Sequence, residues 1–424
     1  MRKGTVSLVV TKFGGTSVAD TERIMSVARR LIARKEAGDG VVAVVSAMGD
    51  VTDELLVKAA DISPCPPERE MDMLLATGEQ VTIALLAMAI HSLGHEVISF
   101  TGSQVGIVTD AGHTKAKIME VRADRVRKAL DEGRIVIIAG FQGVTDDGQI
   151  TTLGRGGSDT TAVAIAAGVG ADVCEIYSDV DGVYTSDPRV VPRARKIDVI
   201  SYEEMLEMAA TGARVLQLRA VEFARNHGVV IHSRSSFNNV PGTVVKEADS
   251  TMEQAIISGV THDTSEAKVT IRDVPDVPGV AAVVFGQLAE SNVNVDMIIQ
   301  NVSERGTTDI SFTTPIEDLV RARRATEEVA AELGAREWSV DESIAKVSLV
   351  GAGMKTHPGV AAQMFRTLAD AGVNLDMIST SSIRISCVIS ADEVEVAVRA
   401  LHERFGLDSG EVSVETSPAC GEVG

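Results

Sequence analysis

The chain has 424 residues, an apolar content of 45% and a formal charge of −20. This length predicts roughly three domains of about 150 residues each. The acidic balance disfavours nucleic acid or an anionic membrane as a partner, and an aromatic content of only 3% leaves few rings for stacking against nucleobases.

Cysteine and histidine usage predicts a reduced, cytoplasmic protein without a resident metal ion. The 4 cysteines include no CxxC pair, and the 8 histidines form no cluster at ligand spacing. Cys174 and Cys387 lie in apolar runs and are predicted core residues. The first residues run into a predicted strand without the apolar core of a signal peptide. The longest apolar stretch, 81–90, is too short to cross a bilayer, so we expect no membrane association.

Strand-like and helix-like segments alternate over the first 245 residues or so. Such alternation predicts an α/β/α sandwich around a mainly parallel sheet. The predicted strands are 6–10, 41–45, 96–100, 135–139, 173–177 and 229–232. The predicted helices include 18–33, 115–132, 160–168 and 202–209.

The sequence Lys-Phe-Gly-Gly-Thr-Ser at 12–17 lies between the first predicted strand and the first predicted helix. A lysine and two glycines at such a turn allow bare backbone amides and a positive charge to approach a phosphate group. The segment does not match the common nucleotide fingerprints GxxxxGK[ST] and GxGxxG. Nucleotide binding is therefore one interpretation, and ordinary turn chemistry is the other.

Polar groups also follow the second predicted strand. Residues 46–53 read Ser-Ala-Met-Gly-Asp-Val-Thr-Asp, and Glu79 precedes the apolar run 81–90. Together they would supply hydroxyl groups and a carboxylate for a small zwitterion. Taken singly, each is better explained as a helix cap than as a ligand, and Glu79 as an acidic residue of a first helical turn.

A second glycine-rich segment, 151–161, precedes an alanine-rich helix. Ser158 or Asp159 is suited to cap that helix, whose amino end offers free amides and a positive dipole end. Arg155 adds a guanidinium fork that fits a carboxylate or a phosphate. Since turn formation does not require these residues together, we favour a binding function here over a structural one.

The segment 177–189 begins at the end of a predicted strand, where open α/β sheets bind their ligands. Asp179 and Asp181 resemble calcium-loop carboxylates, but the remaining EF-hand positions are missing. Contacts to a nucleotide, with acidic groups near Mg²⁺ or ribose, fit the segment better. A turn-rich hairpin is the alternative.

The second half contains an internal repeat. Pro-Gly-Val-Ala-Ala occurs at 278–282 and again 80 residues later at 358–362. Asn294, Asp296, Met297 and Ile298 recur at the same offset, which indicates duplicated modules. Each module has the predicted order βαββαβ of a ferredoxin-like unit. Such units serve either as purely structural dimerisation appendages or as sites for a small effector.

These observations predict four segments, with a boundary in the turn-rich stretch 238–243. The predicted segments are a sandwich domain at 1–245, a linker at 246–262, a first module at 263–341 and a second module at 342–424.

With these motifs assembled, the chain resembles the aspartate kinases of the amino acid kinase superfamily. The motifs that carry the resemblance are 12–17, Ser-Ala-Met-Gly-Asp at 46–50, Gly-Arg-Gly-Gly-Ser-Asp-Thr-Thr at 154–161 and Asp-Val-Asp-Gly-Val-Tyr-Thr at 179–185. The repeats resemble the paired regulatory ACT modules of that family. Glutamate 5-kinase, acetylglutamate kinase and uridylate kinase share the sandwich but are not expected to combine 12–17 with tandem ACT modules.

The resemblance implies transfer of the γ-phosphate of MgATP to the β-carboxylate of L-aspartate, with Mg²⁺ carried by ATP. It assigns catalysis to Lys12 and Asp159, and aspartate binding to Thr52, Glu79, Arg155 and Ser158. It assigns ATP binding to Lys12, Phe13, Gly14, Gly15, Ser178, Asp179, Tyr184, Thr185, Ser186, Asp187, Pro188, Arg189 and Arg214.

The resemblance also implies feedback regulation by lysine and/or threonine between the ACT modules. The implied effector residues are Asp276, Gly279, Ala281, Asn294, Asp296, Gln300, Val360, Ala361, Asn374, Leu375, Ser381 and Ser382. Ser382 replaces a glutamate that is frequent in the family, which puts the identity or strength of the effector in doubt. The implied assembly is a homo-oligomer or an α₂β₂ form whose regulatory subunit starts internally, with Met252 as the candidate start.

Two other functions remain open on the sequence. One is a carboxylate kinase of the same fold that acts on glutamate or N-acetylglutamate. The other is a catalytically inactive amino-acid sensor, against which Lys12, Arg155 and Asp159 argue.

Overall fold

The computed structural model describes residues 7–248, 256–301, 306–357 and 359–409. Met252, the candidate internal start, lies outside these ranges. Contacts divide the chain into two units, which we describe separately. The first unit comprises Met1–Val183, Lys196–Ala210 and Arg214–Met252, and the second comprises Tyr184–Arg195, Thr211–Ala213 and Glu253–Gly424.

The first unit alternates strands and helices as predicted. Its strands are β1 (Leu8–Phe13), β2 (Gly40–Val45), β3 (Val97–Phe100), β4 (Ile107–Thr109), β5 (Ile118–Val121), β6 (Ile135–Ala139), β7 (Gln142–Val144), β8 (Ile150–Thr152), β9 (Val173–Ser178), β10 (Val199–Ser201), β11 (Ile231–Ser235) and β12 (Thr243–Lys246). Its helices are α1 (Thr21–Glu36), α2 (Val51–Ile62), α3 (Glu68–Ser92), α4 (Gly102–Val105), α5 (Asp124–Asp131), α6 (Gly157–Val169), α7 (Tyr202–Ala210) and α8 (Leu218–His227).

The main sheet has eight strands in the order β10-β12-β11-β9-β1-β2-β6-β3. β1 pairs in parallel with β2 on one side and with β9 on the other. The chain runs outward from β1 in both directions, so β1 lies at the point where the strand order reverses. Ligands of open α/β sheets bind outside the carboxyl ends of the strands at this point.

Continuous apolar runs form the centre of this sheet because helices cover both of its faces. All five residues of β6 are buried. On one face of the sheet, α1 and α3 pack against alternate residues of β2 and β6. Helix α6, which is not part of that cluster, packs against β1, β2 and β9. The sandwich that the sequence predicts is confirmed.

The predicted helix at 115–132 is wrong over its first half. Residues 118–121 form β5, which pairs antiparallel with β4, and only Asp124–Asp131 is helical. Partner strands outweigh local helix propensity here, since β5 belongs to a small second sheet with the order β5-β4-β7-β8.

The second unit contains two ferredoxin-like modules. Its strands are β13 (Gly259–Asp263), β14 (Glu266–Pro275), β15 (Ile298–Gln300), β16 (Thr307–Pro315), β17 (Glu337–Asp341), β18 (Ile344–Val350), β19 (Met377–Thr380) and β20 (Arg384–Ser390). Its helices are α9 (Val280–Glu290), α10 (Leu319–Leu333), α11 (Val360–Asp370) and α12 (Val394–Arg404).

The two modules are not consecutive in the chain. The first has the sheet order β15-β16-β14-β17, and the second has the matching order β19-β20-β18-β13. β13 therefore occupies the edge position that β17 occupies in the first module. Residues 259–262, assigned from sequence to a linker, instead form most of a strand of the second module. The first module is inserted between β13 and the rest of the second.

Among the described residues, α3 is the one helix that is long and apolar enough to cross a membrane by length and composition. Core helices of globular proteins share these properties. One side of α3 is buried against the sheet through Ile83, Leu86 and Ile90, and this helix also holds the buried carboxyl groups of Asp72 and Glu79.

Candidate functional site

The carboxyl ends of β1, β2, β6 and β9 meet at one edge of the main sheet, since these strands are parallel neighbours. The turns that follow them begin at Gly14, Ser46, Gly140 and Asp179. The sequence singled out three of these four turns as functional. The turn after β6 was missed, because a single glycine at its start carries no distinguishing pattern.

The glycine turn after β1 lies close to neighbouring backbone. The Gly14 amide donates to the Tyr177 carbonyl at 3.3 Å, and Gly15 begins a short 3₁₀ turn that ends at Val18. A Cβ atom at Gly15 would lie only 3.0 Å from the Ala47 carbonyl oxygen, so a side chain there would press against the turn after β2. A Cβ atom at Gly14 would lie 3.4 Å from the Lys12 ammonium nitrogen, so bare backbone there leaves the ammonium open to a phosphate group.

Lys12 and Asp159 form the central ion pair of the site. The Lys12 ammonium lies 2.6 Å from the Asp159 carboxylate, and the two side chains are 12% and 7% exposed. Lys12 is the penultimate residue of β1, and Asp159 lies in the first turn of α6. The pair therefore joins the end of the central strand to the amino end of a buried helix, which places a positive charge and a helix dipole together.

Glu79 contacts the turn after β2 from the buried face of α3. Its Oε1 atom accepts a hydrogen bond from the Ala47 amide at 3.1 Å, and its Oε2 atom is buried without a hydrogen-bond partner among the described residues. Burial raises the pKa of Glu79 to about 7, against the effect of its backbone hydrogen bonds. A buried carboxylate with one oxygen unsatisfied is suited to receive an ammonium group.

Ser158 lies against the turn after β6. A Cβ atom at Gly140 would come within 2.6 Å of the Ser158 hydroxyl oxygen, so glycine is required for this contact. Arg155 is exposed in the turn before α6, and Thr52 is half-buried in the first turn of α2. These contacts bring Lys12, Asp159 and the glycine turn together, while Arg155 and Thr52 remain assigned by sequence alone.

The predicted ATP residues divide between the two units. Ser178 ends β9, Asp179 is exposed just beyond it, and Arg214 is exposed in the first unit. The run from Tyr184 to Arg189 belongs to the second unit.

Within the second unit, the Thr185 hydroxyl and His402 Nε2 are hydrogen-bonded at 2.9 Å, and both side chains are buried. Arg189 lowers the pKa of Asp187 through hydrogen bonds to its carboxylate. These contacts occupy the side chains of Thr185 and Asp187, so contact with ATP stays a prediction for this run.

Two pairs of predicted effector residues, Ala281 with Ala361 and Asn294 with Asn374, occupy equivalent positions of the sequence repeat. α9 begins after Gly279 and α11 after Gly359, and both glycines have positive φ angles, 102° and 108°. The stretches 291–300 and 371–380 have the same pattern of buried and exposed residues, which extends the sequence repeat to the structure. Val360 is part of the core of its module, so its side chain is not available to a ligand.

Asp72 is a buried polar residue that the sequence analysis missed. Its carboxylate lies 2.5 Å from the Thr152 hydroxyl, 2.6 Å from His113 Nδ1 and 3.1 Å from the Thr114 amide. The Thr114 carbonyl oxygen packs closely against Gly154, because a Cβ atom placed on Gly154 would lie only 3.1 Å from it. Asp72 thus supports the turn that carries Arg155. An acidic residue in an apolar helix was the available signal, but its partners lie far away in the chain.

Comparisons with known proteins agree with this geometry. Residues 7–233 match the amino acid kinase family, and residues 272–329 and 347–405 match the ACT domain. An aspartokinase from Mycolicibacterium smegmatis is 57% identical over 414 residues, which cover 96% of this chain and 98% of that protein.

Two solved structures of E. coli aspartokinase III are similar to this chain at 26% identity. The complex with aspartate and ADP (R-state) has a TM-score of 0.81 and covers 94% of this chain and 99% of that chain. The complex with lysine and aspartate (T-state) has a TM-score of 0.72 and covers 93% of this chain and 99% of that chain.

Proposed function

The chain belongs to the aspartokinases of the amino acid kinase family, and from this premise we propose that it transfers the γ-phosphoryl group of MgATP to the β-carboxylate of L-aspartate. The products would be ADP and 4-phospho-L-aspartate. The enzyme is a phosphotransferase with a carboxyl group as acceptor. The observation that carries the proposed chemistry is the Lys12–Asp159 pair beside the bare glycine turn.

The reaction needs positioning and charge neutralisation more than proton transfer. The β-carboxylate of aspartate is ionised at neutral pH, so no general base is required to activate it. Charge on the transferring phosphoryl group is then the main quantity to stabilise. The Lys12 ammonium would supply the positive charge, the Gly15 amide would donate a hydrogen bond to a phosphate oxygen beside the bare backbone of Gly14, and Asp159 would position Lys12.

Aspartate would bind between α3 and the amino end of α6. We assign its α-ammonium to Glu79, whose unsatisfied Oε2 atom is buried. Arg155 would pair with a carboxylate of aspartate through its guanidinium fork. Ser158 and Thr52 would contribute hydroxyl groups.

MgATP would approach from the carboxyl ends of β1 and β9. Ser178, Asp179 and Arg214 of the first unit would contact it. Bound Mg²⁺ neutralises phosphate charge and orients the oxygens of the leaving group. We infer that this metal arrives with ATP, since our assignment gives the enzyme no resident metal site.

The aspartokinase reaction supports a place at the start of the pathway from aspartate to lysine, threonine, methionine and diaminopimelate. We propose that lysine and/or threonine inhibit the enzyme through the ACT modules, in a cytoplasmic homo-oligomer or α₂β₂ assembly. The lysine-bound T-state of E. coli aspartokinase III supports this proposal.

A hydroxylamine-trapping assay tests the reaction. Aspartate should give the acyl hydroxamate in the presence of MgATP, whereas glutamate and N-acetylglutamate should not. Lys12→Ala should lower kcat at least ~100-fold, the usual effect of removing one transition-state charge contact of about 3 kcal/mol. Lys58→Ala, on the exposed side of α2, is the matched control. Hydroxamate from glutamate alone, or full activity of Lys12→Ala, would reject the assignment.

A matrix of lysine and threonine concentrations in the same assay tests regulation. We expect inhibition by at least one of the two, and we expect Asn294→Ala or Asn374→Ala to shift the inhibitory concentration without changing the uninhibited rate. Both asparagines are exposed at equivalent turns of the modules. Identical rates across the whole matrix would leave the modules with a role in assembly only.

A further inference from the structure

A pocket of about 490 Å³ lies in the first unit, and no residue of the Lys12 turn is among its lining residues. It is formed by α1, the end of β9, β11 and the residues after β11. Its lining includes Arg29, Arg30, Arg34, Tyr177, Arg234 and Asn239. None of these residues has a role in the proposed phosphoryl transfer.

The pocket carries an excess of positive charge. Glu175 is buried and accepts hydrogen bonds from three lining residues: from Arg34, from Arg234 at 3.2 Å and from the Tyr177 hydroxyl at 3.0 Å. Arg34 also pairs with Asp39 at 3.1 Å. The two carboxylates therefore pair with two of the four lining arginines, Arg34 and Arg234. In a chain with a formal charge of −20, such a concentration of positive charge is unusual.

Two of the arginines retain donors for a ligand. Arg30 lies over the Tyr177 ring at 4.8 Å from its centroid and donates to the Ser236 carbonyl at 3.1 Å, which fixes the plane of its guanidinium. Arg29 is exposed, and the described residues provide it with no ion-pair or hydrogen-bond partner. Planar guanidinium forks held in this way recognise phosphate oxygens by paired hydrogen bonds.

We propose that this pocket binds a small phosphate-bearing anion at a site separate from the catalytic one. Phosphate provides several acceptor oxygens and up to two negative charges, which match the excess of guanidinium donors. An occupant would also touch the wall formed by Tyr177. That ring stacks on Phe13 with 4.8 Å between centroids, so the pocket wall adjoins the residue between Lys12 and Gly14.

Calorimetric titration with inorganic pyrophosphate in magnesium-free buffer tests the site. Arg29→Ala combined with Arg30→Gln should weaken binding at least tenfold, while Arg34 and Arg234 keep Glu175 paired. Arg69→Ala combined with Arg125→Gln removes the same charge from exposed positions elsewhere in the first unit and should change the Kd less than twofold. Unchanged melting temperatures and aspartate kinase rates would verify that both variants fold.

The catalytic turn also binds phosphate in our proposal, so the titration is repeated in the Lys12→Ala background. Pyrophosphate binding should persist there and disappear on adding Arg29→Ala and Arg30→Gln. Loss of all binding with Lys12→Ala alone would overturn the second site. Equal weakening of pyrophosphate binding by the two double variants would overturn the second site as well. The effect would then come from the overall charge of the protein and not from the pocket.

Discussion

Glu79 is a carboxyl group whose burial raises its pKa to about 7 from an ordinary value of 4.5. The folded enzyme therefore holds this proton more tightly than the unfolded chain does. The contribution of Glu79 to stability is greatest at low pH and declines as the pH rises between about 4.5 and 7. A bound α-ammonium group would favour the ionised form of Glu79 and lower its pKa again.

We accordingly predict that the KM for aspartate rises as the pH falls below about 7, because aspartate must then displace a proton from Glu79. Glu79→Gln should raise this KM at every pH and flatten its pH dependence. Initial rates at saturating ATP from pH 5.5 to 8.5 measure both effects. Glu54→Gln, at an exposed position of α2, serves as the control. A parental pH profile in Glu79→Gln would contradict the assignment of the ammonium site.

At the scale of the element, α3 presents two buried carboxyl groups on one face, at positions 72 and 79, about two helical turns apart. Glu79 contacts the turn after β2, and Asp72 contacts β8 and the turn at His113 and Thr114. A single helix thus supports both parts of the proposed aspartate site. Because both carboxyl groups lie on one helix, which packs against the sheet, the helix sets the spacing between those parts.

Asp72→Asn should therefore affect aspartate binding through the turn that carries Arg155. An amide has one acceptor oxygen in place of two, so it cannot satisfy Thr152, His113 and Thr114 together. We expect about a tenfold higher KM for aspartate, with kcat and the KM for ATP within twofold, and a stability loss of about 1–3 kcal/mol. Steady-state kinetics with each substrate and thermal unfolding measure these effects.

Asp124→Asn, at the exposed first turn of α5, is the matched control for this substitution. Equal changes in the two KM values would mean that Asp72 stabilises the fold without positioning the aspartate site.

Elements with a strong local pattern were predictable from the sequence. The continuous apolar run of β6 occupies residues 135–139 in both the prediction and the structure, since a strand buried on both faces needs no information from distant residues. The prediction for the residues of β5 was wrong for the opposite reason. Its residues continue a helical pattern, and the antiparallel pairing with β4 that decides their structure is a non-local interaction. The contacts of Asp72 are non-local in the same way.

For the whole molecule, the repeat predicted two modules but not their interleaving. β13 pairs antiparallel with β18, about ninety residues later in the chain, and no turn or periodicity near β13 indicates that partner. Residues 184–195 present the same difficulty, since Val191 belongs to the core of the second module. A sequence motif predicts that residues lie near a strand end. The unit in which they are buried depends on non-local contacts that the motif does not contain.

The two modules are joined by related ion pairs. Lys346 on β18 is 1% exposed and pairs with Glu266 at 2.5 Å and with Asp296. Lys268, at the equivalent position of β14, pairs with Asp376, the repeat partner of Asp296. Burial opposes the charge on Lys346, but the two carboxylates outweigh it and raise the pKa of Lys346. Loss of a partner from the buried ion pair of Lys346 is therefore costly, whereas the more exposed pair of Lys268 and Asp376 contributes little to stability.

Lys346→Met should destabilise the protein by about 3–5 kcal/mol, because it leaves Glu266 buried without its counter-charge. Lys268→Met, its matched control in the exposed pair, should cost about 1 kcal/mol or less. Asp296 is a predicted effector residue, so Lys346→Met should also alter inhibition by lysine or threonine while the uninhibited rate stays near the parental value. Denaturant unfolding and inhibition curves at a temperature where both variants are folded measure the two effects. Equal stability losses in the two variants would show that burial does not distinguish the pairs, and unchanged inhibition would separate Lys346 from effector binding.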